Sequence, residues 1–206
     1  NLNNNVSGVG SIFQIGSGML TVSGNNAGMS GNIDIGSNAL TLASLNALGL
    51  GSVVSNGGRL SLTGTLARLA IDGPVTLLTR VHTTGDQRYN GPVTFLSSGT
   101  PYDLTNSTAA VPNFNSTLGN ISFLSTVSAG AGSKSTQRNL VVSAANGTVL
   151  FNDQVGQDVL ASRLSDVATI NFNDYNRSDT SPYSVDVAAQ TIKLFGDVTS
   201  FETQQY

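Results

Sequence analysis

The sequence has no cysteine and no tryptophan, one histidine (His82), one glutamate (Glu202) and two lysines (Lys134, Lys193). Without cysteine there is no disulfide framework, so packing and backbone hydrogen bonds must hold the fold. Charged residues make up 10% of the chain, far below the ~25% of an average soluble domain. The scarcity of Glu and Lys removes residues from which stable helices are assembled. No apolar run approaches the ~18 residues of a membrane helix, so membrane insertion of this segment is not expected. A net charge of −3 leaves no basic stripe for phosphates, which excludes nucleic acid as an expected partner. Arg59, Arg68, Arg80 and Arg88 are interleaved with Asp72 and Asp86 and read as a solvated surface. The chain opens on Asn1-Leu2-Asn3 with neither Met nor a signal peptide, so we expect an internal or processed fragment.

In place of charge stand glycine (23 residues), serine, threonine and asparagine, which suit tight turns and short exposed strand faces. Pairs of large apolar residues flanking one other residue recur along the chain. They are Leu20/Val22, Ile33/Ile35, Leu40/Leu42, Leu60/Leu62, Val75/Leu77 and Val93/Phe95. The series continues in Ile121/Phe123, Leu140/Val142, Val149/Phe151, Ile170/Phe172, Val185/Val187 and Ile192/Leu194. This is the period of a strand with one buried face. Between the pairs lie turn signals such as Asn56-Gly57-Gly58, Asn90-Gly91-Pro92 and Asn146-Gly147.

Short strands can build a sandwich or a coil of stacked levels. Hairpin sandwiches favour turn signals every ~8–12 residues. Here Leu40/Leu42 precedes Leu60/Leu62 by about 20 residues, and Val75/Leu77 precedes Val93/Phe95 by about 18. We also read Leu140/Val142 as the successor of Ile121/Phe123, about 19 residues on. Such spacing fits one circuit of three short strands. Scarce charge fits too, because stacked identical positions would set like charges about 4.8 Å apart. The expected fold is all-β, a parallel β-helix (solenoid) of roughly eight to ten circuits over residues 1–206. Two stretches break the rhythm. Leu96–Gly119, with Pro101 and Pro112, is expected to leave the wall as a loop excursion, and Asn171–Pro182 is also irregular.

Residues 1–64 resemble the autotransporter-associated β-strand repeat. The likeness runs through Gly16-Ser17-Gly18-Met19-Leu20-Thr21-Val22-Ser23-Gly24-Asn25-Asn26, Asn46-Ala47-Leu48-Gly49 and Asn56-Gly57-Gly58-Arg59-Leu60-Ser61-Leu62. It departs at Ala27-Gly28-Met29-Ser30-Gly31, where that family usually carries a Tyr and a Thr pair. Within residues 65–206, Val81 to Phe95 is similar to a repeat of filamentous-haemagglutinin-like exoproteins, echoed from Val198 to Tyr206. The resemblance implies a right-handed β-helix, a bacterial cell-surface or extracellular location, and a part in adhesion, aggregation or biofilm formation. It carries no catalytic residues.

Candidate sites are few. His82 would need a nucleophile and an orienting carboxylate nearby, and Asp86, four residues on, would stand ~13 Å away along a strand. A surface strand residue is the expected role. Asp166, Asn171, Asn173, Asp174, Asn176 and Asp179 could offer oxygen ligands to Ca2+, but match no defined calcium loop. Hydrated turns are the plainer reading, and no cofactor is expected. Asp153 and Asp174 lie about one circuit apart, the one hint of a polysaccharide-active enzyme. Thr76, Thr79, Thr83 and Thr84 could form a flat threonine array only if they share a face. Asn-x-Ser/Thr triplets at Asn5, Asn106, Asn115, Asn120, Asn146 and Asn176 are expected by chance in so Asn-rich a chain. Tyr102 and Phe114, within the excursion, are the expected ligand-binding rings, suited to stacking on a sugar face.

Taken together, these features lead us to expect a non-catalytic adhesin stalk whose partners are neighbouring circuits of a parent chain, a surface glycan or a host receptor. The second reading is a self-assembling filament or matrix subunit in which the partners are copies of the chain itself.

Overall fold

The computed structural model describes residues 1–95, 113–129, 140–156, 185–196 and 204–205. It is all-β, with no helix among the described residues, and every strand pairing is parallel. One sheet holds six strands. They are β2 (Met19–Val22), β4 (Ala39–Leu42), β6 (Gly58–Leu62), β9 (Val75–Leu77), β12 (Val93–Phe95) and β15 (Val127–Ala129), stacked in that order.

The other sheet holds twelve strands in two arms joined by one long strand, β16 (Leu140–Phe151). The first arm runs β1 (Ile12–Phe13), β3 (Ile33–Gly36), β5 (Val53–Ser55), β8 (Leu69–Asp72), β11 (Gln87–Tyr89), β14 (Ile121–Phe123). The second runs β7 (Thr65–Leu66), β10 (Val81–Thr83), β13 (Phe114–Ser116). β16 takes β13 on its first half and β14 on its second. β17 (Val185–Leu194) follows both halves of β16, and β18 (Gln204–Gln205) pairs with the start of β17.

In the six-stranded sheet and both arms, each strand pairs with one from the preceding or following level of the chain. The offset is set by register: Leu40 lies against Leu60, Val75 against Val93, and Ile71 against Tyr89. The apolar pairs therefore stack in inward columns. One column runs Ile12, Ile33, Val53, Ile71, Tyr89, Phe123, Phe151, Leu194. Its middle members are buried, and burying each large apolar side chain contributes about 1.5–3 kcal/mol. Within this column Tyr89, Phe123 and Phe151 lie ring on ring, with centroids 4.9 and 5.0 Å apart.

Three expectations need correction. Leu140/Val142 is not the successor of Ile121/Phe123: Val142 lies against Phe114, and Ile121 against Val149. Leu140/Val142 and Val149/Phe151 belong to one bent strand, β16. The excursion also ends earlier than expected, because Asn113 to Gly119 have rejoined the wall through β13 and the turn after it. Inward Phe114 satisfies the same alternation as the other pairs, and Pro112 had masked it.

Asparagine and aspartate side chains tie the levels together at the turns. Oδ1 of Asn26 accepts the Val6 N–H (2.8 Å), and that of Asn32 accepts the Ser52 N–H (3.1 Å). Farther on, Asn113 accepts from Val141 (2.7 Å), Asp86 from Asn120 (2.8 Å) and Asn120 from Thr148 (2.9 Å). Each bond satisfies a backbone donor that a turn would otherwise leave without a ladder partner. At one such turn Gly119 packs so closely on the backbone of Gly85 that a Cβ would collide with it.

Candidate functional site

The registers bring five connections to a single corner, the first of them running from β6 to β7, on which β9 and β10 are stacked. In the six-stranded sheet β9, β12 and β15 are stacked, and Val155 continues the stack by bridging Val127. In the second arm β10, β13, the first half of β16, and β17 are stacked in the same sequence. The chain therefore crosses from one sheet to the other at this corner at every level. The first two crossings use only residues 63–64 and 78–80. The next three use residues 96–113, 130–139 and 156–184. The strands that flank these three long segments thus end or begin at one edge of the wall, on neighbouring levels.

A buried polar network lies at the opposite, C-terminal ends of β10 and β13, where the chain turns towards β11 and β14. The Gln87 amide donates to Thr83 Oγ1 (3.1 Å) and to the Asn115 carbonyl (2.7 Å). Its oxygen accepts the Tyr89 hydroxyl at 3.0 Å. Thr83 Oγ1 donates to the Gly85 carbonyl at 2.6 Å, and Ser116 Oγ reaches the same carbonyl at 2.9 Å while accepting the Gly119 N–H at 2.9 Å. Every polar group of the Gln87 side chain is satisfied, the condition for burying it without a desolvation penalty. Burial pushes the Tyr89 phenol well above its ordinary pKa. The network fixes the C-terminal ends of β10 and β13, whose N-terminal ends stand at the corner. No family model matches the chain, and no curated protein or solved structure matches it either.

Phe114, expected as an exposed ring, sits in the core at 1% exposure. It meets Tyr89 and Phe123 edge-on, with centroids 5.6 and 5.0 Å away. A ring so enclosed has no face for a sugar, so Phe114 is withdrawn from the ligand-binding set. Tyr102 lies outside the described residues. So do Asp166, Asn171, Asn173, Asp174, Asn176 and Asp179.

His82 is on the outward face of β10, half-buried, with Nε2 at 3.3 Å from Asn115 Nδ2. Asp86 is engaged elsewhere, accepting from the Asn120 backbone and side chain at 2.8 and 3.3 Å. The structure does not bring the two together. Asp153 accepts the N–H of neighbouring Gln154 at 2.8 Å, and Asp174 lies outside the described residues.

The four threonines do not share a face. Thr76 is outward beside Arg59 and Thr94, Thr79 accepts the Leu62 N–H at 2.7 Å, and Thr83 is buried. Thr84 Oγ1 donates to the Ala67 carbonyl at 3.2 Å. A flat threonine array from these residues is excluded by their placement. Among the arginines, Arg68 donates to the Leu50 and Gly51 carbonyls at 2.5 and 3.1 Å, and Arg88 to Asn90 Oδ1 at 2.7 Å.

Sequence reasoning missed Gln87, Thr83 and Asn26, polar residues that are buried. The recurrence of Asn5, Asn25 and Asn46 at nearly one level's spacing marks the exposed stitch beside Asn26, whose own partners are Val6 and Ala47. Gln87 gave no signal, because its burial depends on groups from β10 and β13.

Proposed function

We propose that the chain is a segment of right-handed parallel β-helix serving as an extracellular, non-catalytic adhesin stalk, with its binding surface at the insertion corner. The observation that carries this reading is that the strands flanking residues 96–113, 130–139 and 156–184 end or begin at one edge of the wall. Insertions are free of the stacking rule that governs wall residues, and recognition concentrates on such segments when a rigid scaffold presents them. The parallel pairing at every level and the near absence of charge support the coil. The likeness of residues 1–64 to autotransporter-associated repeats supports the cell-surface role.

The partner class this reading favours is a surface glycan or a host surface receptor. The test replaces residues 96–112 with a short Gly-Ser turn between Phe95 and Asn113. Fold is followed by thermal melting, and binding by a glycan array and by attachment to host cells. The expected result is an unchanged melting transition with attachment lost. A variant that folds and attaches like the parent removes this insertion from the mechanism.

A further inference from the structure

Three Asn-Gly pairs occur in the chain, at Asn56-Gly57, Asn90-Gly91 and Asn146-Gly147. Each holds a latent reaction. The glycine nitrogen can close a small ring on the preceding side-chain amide carbon, and glycine puts no side chain in the way. What the fold does to the amide decides which pair reacts, and it treats the three differently.

Asn90 follows β11 at the turn into β12, and it is exposed. Ile71 and Tyr89 are in register, so the residues after them, Asp72 and Asn90, stand on neighbouring levels. The Asn90 amide is gripped at both ends. Its Oδ1 accepts from Arg88 Nε at 2.7 Å, and its Nδ2 donates to Asp72 Oδ1. Asp72 is set in turn by Ser52 Oγ, which donates to its other oxygen at 2.6 Å. The Asn90 N–H donates to the Ile71 carbonyl at 2.9 Å, whereas the Gly91 N–H donates to no carbonyl among the described residues. Gly91 sits so close to Gly73 that a Cβ would collide with the Gly73 backbone.

This grip polarises the amide. A guanidinium on Oδ1 stabilises the negative charge that develops there when a nucleophile adds to Cγ. A carboxylate on Nδ2 favours the ammonium-like nitrogen that must leave. Neither of the other pairs has both. At Asn56 the nucleophile itself is occupied, because the Gly57 N–H donates to the Pro74 carbonyl at 2.9 Å. Asn146 gives its Nδ2 to an uncharged acceptor, the Thr117 carbonyl, at 2.8 Å.

We propose that Asn90-Gly91 is a self-modification site, at which the chain converts its own amide to a carboxylate. Gly91 N bonds to Asn90 Cγ, the Cγ–Nδ2 bond breaks, and the Gly91 proton leaves with Nδ2 as ammonia. The succinimide so formed takes up one water and opens to aspartate or isoaspartate at position 90. No oxidant, reductant or cofactor enters the balance. The product sets a second carboxylate against Asp72. Its isoaspartate form also lengthens the backbone at a turn where Gly91 is already packed on Gly73. The site stands at a different corner from the one where the long segments are anchored, and its chemistry does not depend on the adhesin role.

The experiment holds the full 206-residue chain at neutral pH and maps its peptides by mass at intervals, with isoaspartate counted by methyltransferase labelling. The same chain unfolded in guanidinium chloride supplies the rate of an unconstrained Asn-Gly pair. Conversion at Asn90 is expected to run several-fold faster in the folded chain than in the unfolded one, with Asn56 and Asn146 slower when folded. Arg88→Gln and Asp72→Asn are each expected to slow the folded Asn90 rate several-fold, and melting curves check that both still fold. A folded chain that converts Asn90 no faster than the unfolded chain overturns the proposal. So do folded variants that both convert at the parent rate. The comparison within the parent chain decides the matter even where a variant fails to fold.

Discussion

The ring of Tyr89 lies on that of Phe123 with planes 8° from parallel, and Phe123 repeats the relation with Phe151 at 5°. Phe123 is thus held between two aromatic faces and meets Phe114 edge-on. Phe123→Ala is expected to cost about 3–5 kcal/mol, from lost burial and the cavity left behind. Leu118→Ala, at an exposed position in the turn before β14, should stay within about 0.5 kcal/mol. Urea unfolding of the two variants checks this, and equal midpoints would put Phe123 outside the core.

Leu62 and Thr63 are adjacent but face opposite ways. Leu62 is buried and in register with Leu42, whereas Thr63 is exposed. Leu62→Asp should therefore cost several kcal/mol, because its carboxylate enters the core without a partner. Thr63→Asp should cost under about 0.5 kcal/mol. Comparable losses in melting temperature would mean that the two faces of β6 are exchanged.

Asn26 is fully buried and links three levels, its Oδ1 taking the Val6 N–H at 2.8 Å and its Nδ2 giving to the Ala47 carbonyl at 2.7 Å. Removing the amide in Asn26→Ala leaves both backbone groups without these bonds, at about 1–3 kcal/mol. Asn26→Asp is expected to be worse at neutral pH, since a carboxylate accepts but cannot donate to Ala47 and carries a buried charge. Lowering the pH should recover part of the Asn26→Asp loss by protonating it. An Asp variant as stable as the parent at pH 7 would contradict the stitching role.

The buried phenol of Tyr89 makes stability sensitive to alkali. Its folded pKa lies above the unfolded value of about 10, so the folded state holds the proton more tightly. Stability from this source is complete below about pH 10 and is lost as pH rises through that value towards the folded pKa. Tyr89→Phe should flatten this alkaline limb. At neutral pH it should cost about 1 kcal/mol, because Gln87 Oε1 loses the hydroxyl it accepts. Thermal melts of both proteins between about pH 8 and pH 11 are the measurement, and parallel curves would show that Tyr89 does not carry the effect.

The strand content and the inward faces were legible because they are local. Ile33/Ile35, Leu40/Leu42 and Leu60/Leu62 announce a buried face by alternation alone, and the described structure buries all six. The same rule failed at Phe114, where Pro112 and the surrounding polar residues hid the strand.

The chain order of residue types by itself determined that this protein would be built of short strands, which face of each would turn inward, and that no disulfide would hold them. Tertiary structure alone decided which level each strand joined. Val142 lies on Phe114 rather than over Phe123, Gln87 finds its partners on β10 and β13, and the strands flanking three long segments come to one corner. The reason is physical: alternation is read within a few residues, whereas register depends on backbone ladders and side-chain columns between segments that can be more than thirty residues apart.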